Sequence, residues 1–295
     1  MWTALTDGIR ALAGADPIDM AGALGLYVIS LVFVGARWRV FIRALGGDVS
    51  LWRATLANVG GIAAGNIAPA RLGGEACRVA LVRQAGSVTW RQATLAAAWD
   101  RIAELPPIAV LAAISVVVLG RLIPASRSWA VAVGAAVAAI AVGIGISALK
   151  RSRDRLRWWV DFLAADRVSR STYARGVALA SSMWVLDLLR LACATRAVGI
   201  ALPIDQLAAL SMVAMLGGLV PGVAGLGPVE AALVTALLTF GVSPAAAVAA
   251  TAVERAVSYG FSTMAGVLVI TALSGRSLWS AVRRTPVSLP DTADF

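Results

Sequence analysis

Two glutamates, Glu75 and Glu230, and two acid–arginine doublets, Asp100-Arg101 and Glu254-Arg255, place charge in a chain that is otherwise mostly apolar. Asn66, Arg71 and Arg78 join them in the stretch Asn66-Ile-Ala-Pro-Ala-Arg-Leu-Gly-Gly-Glu-Ala-Cys-Arg78. Guanidinium forks capture phosphate, and a carboxylate faces an ammonium headgroup or a coupling cation. Each residue also has a plainer reading. Glu75 and Glu230 each open a short helix and can complement its dipole, Glu230 helped by Pro228. Arg71 and Arg78 can pair with Glu75 or snorkel to the interface. The doublets can form a structural ion-pair network between two halves of the chain. Asn66 is expected to bond the backbone of its own loop in preference to a ligand. Asp187 and Arg190, one helical turn apart, can pair with each other.

This is the chemistry of binding a charged group more than of breaking bonds. The chain has no histidine, the commonest metal ligand and general base. It has no phosphate-loop motif, zinc spacing or Ser-His-Asp set. No metal, cofactor or catalytic residue is expected. Cys77 and Cys193 form no CxxC pair and read as small buried fillers.

The setting is a membrane. Of 295 residues, 59% are hydrophobic and 14% charged, with mean hydropathy +0.82. Soluble domains carry about 25% charged residues, so we read a single polytopic, all-α membrane domain over 1–295. The net charge of +10 is almost all arginine, Lys150 being the only lysine. On a membrane protein this points to orientation and anionic headgroups; no basic stretch with interleaved aromatics suggests nucleic acid. The N-terminal region shows no clear cleavage site, so no removable signal peptide is expected.

These residues need elements to hold them. Residues 1–18 suit a short interfacial helix. Residues 20–44 form a span ending in Arg37, Trp38, Arg39 and Arg43. The pieces 51–67 and 75–85 follow, and the second covers only about 16 Å of a core about 30 Å thick. They read as a re-entrant hairpin with Pro69, Gly73 and Gly74 at its tip. Residues 89–120 form a long helix, or two joined at Pro106-Pro107. A span at 128–148 and a basic, partly amphipathic linker at 149–170 come next. Then the order repeats: a span at 172–197, short pieces at 204–219 and 229–240 around Pro221, Gly222, Gly225 and Gly227, and a long helix at 244–273. The residues from 275 on read as a polar, partly disordered tail.

The two halves, 20–120 and 171–273, match at near-constant offset. Arg37 falls opposite Arg190, Arg43-Ala-Leu-Gly46 opposite Arg196-Ala-Val-Gly199, Glu75 opposite Glu230, and Asp100-Arg101 opposite Glu254-Arg255. Four matches in order indicate a duplication. Residues 121–170 link the halves. With re-entrant hairpins, three spans separate the two starts, so the repeats are inverted. Most arginines then fall on one face, which puts the N-terminus outside and the C-terminus in the cytoplasm. Inverted repeats with broken helices are a transporter architecture.

At Pro69-Ala-Arg71-Leu-Gly73-Gly74-Glu75-Ala-Cys-Arg78 and Pro221-Gly-Val-Ala-Gly225-Leu-Gly227-Pro-Val-Glu230 the chain resembles the lysylphosphatidylglycerol synthase/flippase membrane-domain family. The doublets extend the resemblance over roughly residues 20–275. Ala224-Gly225 stands where that family usually has Gly-Gly. The residues after 275 are too few for a soluble aminoacyl-transferase domain, so synthase activity is not carried over. The resemblance implies flippase-like handling of a lipid in the cytoplasmic membrane. The expected partners are lipids with anionic or zwitterionic headgroups, or polyprenyl-linked lipids. The alternative is a non-transporting partner that presents a lipid to a separate glycosyl- or aminoacyl-transferase; a lipid enzyme using Glu75 or Asp100 as base is less favoured.

Overall fold

A computed structural model describes residues 13–67, 72–84, 87–122, 168–218 and 227–284. Among them the regular elements are helices, in the order α1 (Pro17–Ala44), α2 (Leu51–Ile67), α3 (Leu72–Arg83), α4 (Trp90–Leu122), α5 (Arg170–Arg196), α6 (Ile204–Gly217), α7 (Pro228–Thr239) and α8 (Pro244–Arg255). A π-helical turn, Ala256–Phe261, joins α8 to α9 (Ser262–Arg284). The windows Pro17–Ala44, Trp90–Arg121, Arg170–Arg196 and Pro244–Leu273 are long and apolar enough to cross a membrane. The chain is an all-α polytopic membrane protein, as its composition requires.

Local signals set the ends. Asp16 caps α1 by accepting the Ile18 N–H at 2.7 Å, with Pro17 at the first helical position. Ser169 and Ser243 cap α5 and α8 in the same way. The repeated Arg-Ala-x-Gly motif has a physical cause. Gly46 and Gly199 lie just beyond α1 and α5 at φ +81° and +77°, a left-handed conformation that stops each helix.

The inversion can be read from which ends meet. Near the start of α1, Asp16 N–H bonds Ala197 O at 2.8 Å and Asp19 lies 3.8 Å from Arg196, both at the end of α5. Near the end of α1, Phe41 presses on Gly176 at the start of α5. The first helices of the two halves are therefore antiparallel neighbours. Each hairpin then packs on the long helix of the other half. Along α2, Gly60 faces Val269 and Ile270, while Asn66 faces Ser262 and Thr263. Along α6, Ala208 faces Ser115, while Met212 and Met215 cluster with Ile108, Leu111 and Ala112. This interleaving builds the core without a separate layer.

Within the first hairpin, α2 and α3 cross at glycine. A Cβ on Gly74 would stand 2.7 Å from the carbonyl oxygen of Gly61, so only glycine lets the arms approach. Gly74 thus belongs to the crossing of the arms, beyond any role at the tip.

Two expectations change. The second long helix is not uniform: the π turn begins two residues after Glu254. The last long helix, expected over 244–273, continues to Arg284. Pro106-Pro107 sits within one continuous helix, α4, the first of the two forms expected for 89–120. Residues 1–12 of the interfacial helix expected over 1–18, the span at 128–148, residues 149–167 of the basic linker, and Pro69, Arg71, Pro221, Gly222 and Gly225 lie outside the described residues.

Candidate functional site

Three arginines and three acids from α1, α3 and α4 form a closed ring. Arg37 donates from Nε to Asp100 Oδ1 at 2.6 Å and from Nη2 to Glu104 Oε1 at 2.5 Å. Arg78 donates from Nη1 to Asp100 Oδ2 at 3.0 Å and to Asn58 Oδ1 at 2.9 Å. Its Nε lies 2.6 Å from Glu75 Oε2, an ion pair without hydrogen-bond alignment. Arg101 pairs with Glu75 Oε1 and donates from Nη1 to Glu104 Oε2 at 2.9 Å. Charges alternate around the ring and cancel.

Helical spacing makes this possible. Asp100 and Glu104 are one turn apart on α4, so both reach Arg37 on α1. Glu75 and Arg78 are likewise one turn apart on α3 and span from the rim to the core. Burial is graded across the ring: Arg37 is 1% exposed and Asp100 0%, whereas the side chains of Glu75 and Arg101 are 44% and 57% exposed. The inner charges need partners because an isolated buried charge is very costly. The Arg78 guanidinium also lies over the Trp38 ring at 4.7 Å.

The second half keeps the pairs but not the ring. Arg190 donates to Asp187 Oδ1 at 2.8 Å and to Glu254 Oε1 at 3.1 Å, and Ser211 donates to the other Asp187 oxygen at 2.7 Å. Arg255 donates to Glu230 at 2.7 Å, and Glu230 accepts the Gly227 N–H at 2.6 Å. That last bond is the capping role open to Glu230 from sequence. Gly227 holds φ +101°, so the start of α7 requires glycine. Leu233 follows Glu230 at the spacing by which Arg78 follows Glu75. The arginine that bridges the two pairs in the first half has no counterpart there.

The buried ion pairs therefore close within each half, not between halves as the sequence suggested. The reason is geometric: α1 with α4, and α5 with α8, already bring the partners together. Contacts across the halves are mostly neutral. Asn66 donates to Ser262 and Thr263 at 3.2 and 2.9 Å rather than to its own loop, and Tyr27 donates to Ser258 O at 3.3 Å. Tyr27 thus reaches a carbonyl within the π turn, and Asn66 reaches hydroxyls just after it.

A cavity of about 260 Å³ opens on the ring, lined by Asn58, Asn66, Glu75, Arg78, Arg101 and Glu104, with Gly61, Gly65 and Gly74 beside them. Drug-sized ligand pockets run from about 300 Å³ upward, so this space suits a headgroup rather than a whole lipid. Glu75 and Arg101 also border an apolar groove of about 340 Å³ between α3 and α4, lined by Ala76, Val79, Trp90 and Ala97.

The structure brings Asn66, Glu75, Arg78 and Arg101 together on this cavity, with Asp100 buried behind them. Gly73 is half-buried at the start of α3. Glu230, Glu254 and Arg255 belong to the separate second cluster. Sequence reading passed over Glu104 and Asn58, and used Arg37 only to mark the end of a span and the repeat. Glu104 had a signal: it stands one turn from both members of the first doublet.

Antiparallel repeats, each a span, a helical hairpin and a long helix with a buried acid–arginine core, define a polytopic α-helical membrane protein of inverted-repeat type. Over residues 1–266 the chain matches the family described as the lysylphosphatidylglycerol synthase TM region, and it belongs to that family. Two proteins of Methanothermobacter thermautotrophicus, each named a UPF0104 membrane protein, are similar to it. One is 25% identical over 294 residues, covering 88% of this chain and 87% of the relative. The other is 24% identical over 299 residues, covering 89% and 85%.

Proposed function

We propose that this protein is a flippase-like translocator that carries a phospholipid or polyprenyl-linked lipid across the cytoplasmic membrane and performs no reaction on it. The observation that carries the reading is the charge ring, sealed on one side and open on the other to a headgroup-sized cavity and an apolar groove. Ionisable residues inside membrane helices are costly and are kept where polar cargo passes. In this reading the headgroup follows Asn66, Glu75, Arg78 and Arg101, while acyl chains stay in lipid. Asp100 positions the arginines, and the Glu230, Glu254 and Arg255 cluster closes the opposite end. The N-terminus is outside and the C-terminus cytoplasmic. No nucleotide motif is visible in the sequence, so the drive is a gradient or a partner. Family membership supports the link to lipid. Reconstitution into vesicles with labelled lipid tests it: headgroups should cross faster than in protein-free vesicles, and equal rates would sink the proposal.

The family description, which names the membrane region of a synthase, favours a second reading. The protein then holds a lipid for a separate transferase, docked at the basic segment 149–170. Co-purification with such an enzyme, lost on deleting 151–168, is its expected sign.

A further inference from the structure

We propose that the cargo has a net-neutral headgroup with one phosphate and one ammonium, and that it enters by opening the Glu75–Arg101 pair. The inference rests on reading the cavity as a headgroup site. Its ground is the charge count of the ring: Arg37, Arg78 and Arg101 against Glu75, Asp100 and Glu104. An anion added to a neutral ring in a low-dielectric site leaves one charge uncompensated. A zwitterion leaves none. The chain as a whole carries +10, which draws anionic headgroups to the surface, but that excess is absent from the ring.

The ring also shows where exchange occurs. Glu75 and Arg101 are its two half-exposed members, and they pair with each other. When they part, Glu75 takes the ammonium and Arg101 the phosphate, so the number of opposite-charge pairs never falls. Arg78 adds a second donor. It is 3% exposed and lines the cavity, and its Nη2 has no acceptor among the described residues. Phosphate bound by Arg101 and Arg78 would use guanidinium forks from two helices. The apolar groove starts at the same Glu75–Arg101 pair and takes the acyl chain attached to that phosphate.

The test uses the full chain in vesicles of equal parts phosphatidylethanolamine and phosphatidylglycerol, with trace acyl-labelled analogues of each lipid and a membrane-impermeant quencher. Wild type should move the phosphatidylethanolamine analogue faster, on the order of tenfold for one uncompensated charge. Glu75→Gln leaves the ring positive and should raise the rate for phosphatidylglycerol relative to phosphatidylethanolamine. Arg101→Gln leaves it negative and should lower that ratio. A purely structural role would slow both lipids together. Equal or faster phosphatidylglycerol transport by wild type, or variants that shift the ratio in the same direction, would overturn the inference while translocation stands. No transport of either lipid would overturn the functional proposal and this one with it. Should the variants not fold, the wild-type ratio alone decides.

Discussion

Asp100 and Glu254 occupy matching places in the two repeats, yet removing their charges should not cost the same. Asp100 is fully buried and holds two arginines, Arg37 at 2.6 Å and Arg78 at 3.0 Å. Asp100→Asn leaves the ring with one uncompensated positive charge at its most buried point. Breaking a buried pair from one side costs about 3–5 kcal/mol. Glu254 shares Arg190 with Asp187, which remains at 2.8 Å after Glu254→Gln. Arg190 then keeps a full counter-charge, and the amide oxygen can still accept from it. The loss is that of one hydrogen bond to a charged group, about 1.5–3 kcal/mol at most. At roughly 2 °C per kcal/mol for a chain of 295 residues, Asp100→Asn should lower the apparent melting temperature by about 6–10 °C, and Glu254→Gln by about 3–6 °C. The assay is thermal unfolding of purified protein in detergent, followed by tryptophan fluorescence at one fixed scan rate, since membrane proteins often unfold irreversibly. Equal losses, or a larger loss for Glu254→Gln, would refute the claim that the first cluster is left with an unbalanced positive charge while the second is left balanced.

Gly74→Ala should destabilise by about 1–3 kcal/mol, because the new methyl meets the Gly61 carbonyl; the same melting assay reads it. Asn66→Ala removes two hydrogen bonds to Ser262 and Thr263, about 1–2 kcal/mol in all, and should speed hydrogen exchange locally around the π turn. In a background without Cys77 and Cys193, single cysteines at positions 48, 160 and 202 should label from the cytoplasm, the cytoplasm and the outside. Any other pattern contradicts the proposed orientation.

The elements were legible where length and punctuation speak. A helical piece of about 16 Å cannot cross a core about 30 Å thick, so both hairpins could be read from short pieces around proline and glycine. The duplication was legible because Arg-Ala-x-Gly stops a helix by a left-handed glycine, a need that binds each copy alike. The ring was less so. Glu75, Arg78, Asp100 and Arg101 stood out as charges in apolar sequence, but their partners depend on which helices touch. Glu104 resembles an ordinary residue ahead of two prolines, and Asn58 is hidden among alanine and glycine. The π turn had no signal in composition, since its contacts are distant in sequence or on the next helix: Tyr27 and Ser262 donate to Ser258 O, and Tyr259 donates to the Asn66 carbonyl.

The two halves keep the same geometry with different residues, and this separates what the fold needs from what the site needs. The buried arginine of α1 takes its second acid from α4, as Glu104; that of α5 takes it from its own helix, as Asp187. Six residues after Asp100 come Pro106 and Pro107, and six after Glu254 come Gly260 and Phe261 of the π turn. Both devices disturb backbone hydrogen bonding at the same level of a long helix, one by deleting donors and the other by widening the turn. Such substitutions preserve an inverted pair of hairpins. They do not preserve charge balance. With Leu233 in place of a bridging arginine, Asp187, Glu230 and Glu254 face only Arg190 and Arg255 among the named residues. A closed neutral ring can exchange one pair for a zwitterion and lose nothing, whereas separate pairs with a surplus carboxylate cannot. The first hairpin therefore suits cargo binding and the second suits closure, so the two ends of a transport cycle would differ in affinity even though their backbones are related by inversion.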